Sequence, residues 1–196
     1  ILDELQRDRP QSWPSRTMFT MDKETYKKMT GFLHSHPKQA KTVVATNKAI
    51  TYAIYLAYPC LLLWLTFHNG ASALLEGRID PLLPRAILVP AISFIAVSIF
   101  RILFNAPRPY EVFDLPPVIA KNTKGKSFPS RHAFSIFIIG MTFLASCPLP
   151  MAGWFILALG VCLALVRVLA GVHFPRDVIT GALLGIAFGY FGFWVI

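Results

Sequence analysis

Five apolar runs of close to bilayer length occupy most of the chain from residue 49 onward, and they leave few ways for it to fold. They fall at about 49–67, 86–104, 132–147, 151–171 and 175–196. Hydrocarbon offers no partner to a backbone N–H or C=O, so segments that stay inside it must pair their own backbone as helices. Crossing takes about twenty residues. The third run is short but bounded by charge, and Pro148-Leu149-Pro150 after it forces an antiparallel return. The expected fold is all-α, an integral membrane bundle of about five transmembrane helices with an N-terminal amphipathic helix.

The charge content fits this class. Only 15% of the 196 residues are charged and 55% are hydrophobic, where a soluble domain carries roughly a quarter charged residues. The net charge is +9. Much of it sits among apolar segments, so the polyanion it meets is expected to be a lipid headgroup or a phosphorylated substrate rather than nucleic acid. Cys60, Cys147 and Cys162 show no metal-ligand or disulfide spacing and are read as buried free thiols. No signal-peptide pattern opens the chain, and because it starts at Ile1 without a methionine it is expected to be a fragment.

Residues 1–36 form a basic segment, and 37–196 the membrane domain. Asp22 can cap a helix to about His34, with Tyr26, Met29, Phe32 and Leu33 at helical spacing and Lys23, Lys27 and Lys28 elsewhere. That helix either lies on the membrane surface or packs on the protein. Pro37 suits the first turn of the next helix, and Pro59 falls within the first span. Gly181, Gly185 and Gly189 set small residues four apart in the last span, which allows close helix approach. They serve a homodimer or packing inside the chain; five spans offer many internal neighbours, which favours the second. The long connection 106–131 carries Lys121, Lys124 and Lys126, and such loops are often functional.

Three polar clusters interrupt the apolar half: Arg101 with Arg108-Pro109, Ser130-Arg131-His132, and Arg167 with His173 and Asp177. Asp177 is the only acid after Asp114. Alternating spans bring all three clusters to one membrane face. Ionisable groups at that depth are costly and mark function. Arg101, Arg108 and Arg167 can grip phosphate oxygens in bidentate fashion, although any one alone reads as a snorkelling arginine. Ser130, Arg131 and His132 open a helix, where free N–H groups favour an anion. His173 and Asp177 are spaced to touch on a helix, and a carboxylate at one ring nitrogen leaves the other nucleophilic. A plain ion pair of Asp177 with Arg176 is the structural alternative. His34, His36 and His68 lack a matching acid or a full ligand set.

In order and spacing, Arg101–Pro109, Pro129–His132 and Val166–Asp177 resemble the three motifs of the type-2 phosphatidate phosphatase superfamily of membrane lipid phosphatases: K-x6-R-P, P-S-G-H and S-R-x5-H-x3-D. The resemblance covers roughly residues 84–196. It implies that His173 attacks phosphorus to form a phosphohistidine and that Asp177 orients it. It further implies that His132 protonates the leaving oxygen and then activates water, without a metal or other cofactor. Arg101, Arg108, Ser130, the Arg131 N–H and Arg167 would hold the phosphoryl oxygens. Arg101, Arg131 and Val166 depart from the family's lysine, glycine and serine, which bears on substrate preference. The family commonly has six spans, so one is expected to be absent here or to lie upstream.

The implied substrate is a membrane lipid phosphate: phosphatidate, phosphatidylglycerol phosphate, diacylglycerol pyrophosphate or a polyprenyl diphosphate. Arg131 and the three loop lysines suggest a multiply charged headgroup. The resemblance places the site on the extracytoplasmic side. Lys38, Lys41 and Lys48 share the site's face while Arg78 and Arg85 lie opposite, a count that argues for the cytoplasm. Rival readings are a non-catalytic lipid-phosphate binder or transporter, a structural membrane protein that only contacts headgroups, and a phosphotransferase on the same scaffold.

Overall fold

Prolines set where the helices begin. The structure, a computed structural model, describes residues 21–70, 82–121 and 123–196, and among them all regular structure is helical. Helix α1 is Lys23–Ser35, and α2 is Pro37–Leu65, continued by a π-helical turn Thr66–Gly70. Then come α3 (Leu82–Phe104), the short α4 (Pro109–Phe113), α5 (Arg131–Ser146), α6 (Pro150–Leu169) and α7 (Pro175–Tyr190), which ends in a π-helical turn Phe191–Val195. Pro37, Pro109, Pro150 and Pro175 each open a helix, where the missing N–H costs nothing.

Among the described residues, four helical stretches are long and apolar enough to cross a membrane: Pro37–His68, Leu82–Phe113, Pro150–Leu169 and Pro175–Val195. The chain is a multi-pass membrane protein. The third apolar run differs from the other four. Helix α5 has 16 residues, a length of about 24 Å at about 1.5 Å per residue, short of a hydrocarbon core about 30 Å thick. Ten of those residues are buried, because α3, α6 and α7 enclose the helix. A helix wrapped by its neighbours has little lipid to match. It is the hub of the bundle.

Small residues let α7 reach that hub. A Cβ on Gly181 would stand 2.5 Å from the Ser130 carbonyl oxygen, one on Gly185 2.7 Å from that of Phe134, and one on Gly189 2.4 Å from the Met141 Cβ. The glycine stripe is therefore packed within the chain, against α5. On the other side, Ile50, Ile54, Leu61 and Leu65 of α2 join Ile136, Phe137, Ile156 and Leu163 in the main core. The outer surface is apolar as well, with Ile92, Leu103, Phe155 and Leu183 exposed. Cys60 and Cys162 lie on it and Cys147 is half-buried, all three as free thiols, which corrects the expectation that they are buried. Apolar surroundings in sequence do not separate core from lipid-facing positions, since lipid is as apolar as the core.

Helix α1 begins after Asp22 and packs on the protein through Tyr26, Thr30 and Leu33. Phe32, expected on that face, is 54% exposed. Arg78 lies outside the described residues. Arg85 donates to the carbonyl oxygen of Ile196 at 3.0 Å, so it ties α3 to the last residue.

Candidate active site

The segment joining α6 to α7 carries His173 and is held through its backbone. The N–H of Val118 donates to the Ala170 carbonyl oxygen at 3.0 Å, and Nη1 of Arg108 donates to that of Val172 at 3.2 Å. At the start of α7, Asp177 Oδ2 accepts from the N–H of Phe174 at 3.1 Å. Such a carboxylate at a helix N-terminus is stabilised by the free amides and the dipole. The hydroxyl of Ser127 donates to the same oxygen. His173 is 1% exposed. Its Nδ1 lies 3.5 Å from Asp177 Oδ2 and 3.4 Å from Ser127 Oγ. The expected pairing is present with a serine as third member, but His173 precedes α7 rather than lying on it, and Arg176 Nε also stands 3.6 Å from Asp177 Oδ1.

Arg101 and Arg108 lie on the same side, both buried. Arg101 donates from Nη1 to the carbonyl oxygen of Pro129 and from Nη2 to that of Lys126. Arg108 donates from Nε to Gly125 at 3.0 Å. The two guanidinium groups thus fasten the loop that leads into α5. Glu111 assists: its carboxylate accepts from the N–H of Arg108 at 2.8 Å and from that of Gly125 at 2.9 Å. Asn105 Oδ1 accepts from the N–H of Lys126 at 3.2 Å. Sequence reasoning missed Ser127, Glu111 and Asn105 as parts of the site. Glu111 alone left a trace, as an acid two residues after a helix-opening proline.

Clusters two and three meet directly. The N–H of Ser130 donates to the Asp177 carbonyl oxygen at 2.8 Å. Arg167 Nη2 approaches Nδ1 of His132 at 3.2 Å, and its Nη1 donates to Asn47 Oδ1 of α2 at 3.2 Å. A guanidinium only donates. Nδ1 of His132 must therefore be the acceptor, and the neutral ring carries its proton on Nε2. Ser130 Oγ and Arg167 Nε are buried and have no hydrogen-bond partner among the described residues. Arg131 alone stands apart, exposed, with its guanidinium 5.7 Å from the Phe94 ring centroid. It lines a cleft of 260 Å³ between α2, α3 and α5, together with Thr51, Tyr55, Phe94, His132 and Ser135.

Burial, then Arg167, Arg108, Arg101 and Lys121, holds the His173 imidazole well below its ordinary pKa, so it is neutral. The half-buried Lys121 is pushed down to about 7 by burial and then by Arg167, Arg108, Arg101 and Arg131. Among the described residues no three His, Cys, Asp or Glu side chains gather as metal ligands. The site is a positive enclosure that holds two imidazoles and the carboxylates of Asp177 and Glu111.

Residues 83–196, which contain all three clusters, match the model of the PAP2 superfamily. The chain belongs to the PAP2 superfamily. Over 112 residues it is 33% identical to the bacitracin transport permease protein BcrC of Bacillus licheniformis, across 55% of this chain and 54% of that one. The chain thus spans about half the length of the curated relative it matches. Its fold is similar to that of Aquifex aeolicus LpxE, with a TM-score of 0.64 at 21% identity over 90% of this chain and 98% of that one. It is also similar to a transmembrane PAP2-type phosphatidylglycerolphosphate phosphatase of Bacillus subtilis, with a TM-score of 0.50 at 17% identity over 85% and 90% of the two chains. The PAP2 match stops short of α1 and α2, so Asn47 reaches Arg167 from outside it.

Proposed function

We propose that this PAP2 protein is a lipid phosphate phosphatase with a histidine nucleophile. The observation that carries the reading is the complementary hydrogen bonding of the two imidazoles. Nδ1 of His173 faces a carboxylate, so a proton there leaves a lone pair on Nε2. Nδ1 of His132 faces a guanidinium, so Nε2 holds the proton. One ring is set to attack, and the other rests neutral beside Arg167 and takes up its second proton when phosphate binds.

In the first step His173 Nε2 forms a bond to phosphorus while the phosphorus–oxygen bond to the leaving group breaks. The departing oxygen takes a proton from His132, so that a neutral ring is left. His132 acts in its doubly protonated form once Arg167 has turned from Nδ1 to the phosphoryl oxygens and the phosphate charge favours the imidazolium. In the second, His132 accepts a proton from water, the hydroxide attacks, and the phosphorus–nitrogen bond breaks to release phosphate. Asp177, supported by Ser127, orients His173 and offsets its developing charge. Arg101, Arg108, Arg167, Ser130 and the Arg131 N–H surround the phosphoryl oxygens. The unpartnered donors Ser130 Oγ and Arg167 Nε support this role, because buried donors are nearly always satisfied and an anion would satisfy them.

The cleft beside His132 supports a lipid substrate: its walls are apolar where it runs between α2 and α5. Arg131 at this cleft, with Lys121, Lys124 and Lys126, favours a diphosphate lipid over a monophosphate. We place the site on the extracytoplasmic side, as the family usually does. The name of the B. licheniformis relative suggests transport, and a single experiment separates the two readings. Purified protein is given lipid mono- and diphosphates with chelator present. Phosphate released by the wild type, and lost in both His132→Ala and His173→Ala, establishes the phosphatase. Binding without release by the wild type rejects it.

A further inference from the structure

Helix α1 lies outside the family match, yet it touches the segment that bears His173. The hydroxyl of Tyr26 stands 3.2 Å from the Gly171 carbonyl oxygen and 3.3 Å from that of Leu115. Tyr26 is 0% exposed. With this contact, three successive carbonyls before the nucleophile each accept from a different part of the chain: Ala170 from Val118, Gly171 from Tyr26, and Val172 from Arg108. We propose that Tyr26 is a positioning residue for His173 and that α1 is thereby part of the catalytic unit.

The fit at Gly171 is tight. Its φ is +72°, and a Cβ there would lie 2.7 Å from the Tyr26 oxygen and 3.0 Å from Thr30 Cγ2. Only glycine accepts both that conformation and so close a helix. The Tyr26 ring continues the support, 5.2 Å from Phe113, which stands edge-on 5.9 Å from Phe174. Phe174 follows the nucleophile, and its N–H is the one bonded to Asp177. At the other end of α1, His34 Nε2 lies 3.2 Å from the Pro116 carbonyl oxygen. Tyr26 therefore reaches the reacting ring by two routes, through the Gly171 carbonyl and through the aromatic pair. Burial pushes its hydroxyl up to about 12, so it remains a donor at any working pH. A displacement of about 1 Å at an attacking atom can cost about 100-fold in rate, and a short connection between two helices needs such bracing to hold a ring still.

The proposal rests on the phosphatase reading, and its test separates the two. Full-length Tyr26→Phe keeps the ring and removes the hydroxyl. With a lipid phosphate as substrate, kcat is expected to fall about fivefold to tenfold with KM within about twofold, as for a lost hydrogen bond that acts on the transition state. Phe32→Ala on the exposed face leaves both unchanged. Hydrogen exchange over 170–177 is measured in the same samples and is expected to quicken in Tyr26→Phe alone. Unchanged kcat per folded molecule, or unchanged exchange in this segment, overturns the proposal. If the wild type releases no phosphate, the phosphatase reading falls, and the exchange result by itself decides whether Tyr26 braces the segment.

Discussion

Nη2 of Arg167 and Nδ1 of His132 stand 3.2 Å apart, although 35 residues separate them in sequence. This contact fixes which nitrogen of His132 holds the proton, and Asn47 fixes the guanidinium from behind. Lysine keeps the charge but cannot reach both partners from a planar fork. Arg167→Lys is expected to lower kcat about 100-fold, the lower range for loss of a general acid. Asn47→Ala is expected to lower it about fivefold. Steady-state kinetics on purified variants checks both.

Ser127→Ala removes the hydroxyl that donates to a buried carboxylate. Leaving such an acceptor short of a partner costs about 1–3 kcal/mol. Turnover is expected to drop at least about fivefold, with a lower Tm. Ser127→Thr retains the hydroxyl and is expected to recover most of the loss. Equal activity of the alanine and wild-type proteins would remove Ser127 from the site.

Arg131→Gly tests the headgroup preference. The guanidinium lies over Phe94 beside the cleft, away from the backbone contacts that hold Arg101 and Arg108. Its removal is expected to reduce kcat/KM for diphosphate lipids about tenfold while monophosphate turnover changes little, the scale of one charge-assisted contact. An unchanged ratio discards this role.

Lys121 supplies a pH dependence. With its pKa at about 7 it is charged below that value and neutral above it. Affinity for an anionic lipid is therefore expected to be higher below about pH 7 and to weaken as pH rises through it. Lys121→Arg stays charged throughout, so KM measured from pH 6 to 9 is expected to lose that rise.

The glycine stripe gives a graded packing test. Gly181→Ala and Gly185→Ala drive a methyl into backbone atoms of α5, whereas Gly189→Ala meets the Met141 side chain. Overpacking costs about 1–3 kcal/mol, so the first two are expected to lower Tm more than the third. Gly181→Ala also presses on Ser130, and is expected to lose more activity than stability.

The sequence by itself determined the helical membrane class and the residues with chemistry to offer. Desolvation acts locally, so an apolar run must be helical and a charge retained beside it must have a use. Spacing of four suggested His173 beside Asp177 on one helix; His173 instead precedes α7, and the turn that opens this helix brings the two together. The sequence did not show that α5 is an enclosed hub, because a run of apolar residues looks alike whether lipid or protein surrounds it. Nor did it reveal Ser127, Asn47 or Tyr26. These residues act on partners 50, 120 and 145 positions away. A lone serine, asparagine or tyrosine carries no local sign of such a bond. Only the packing of α1, α2 and the loop before α5 around one short segment decided which polar groups would hold the imidazoles.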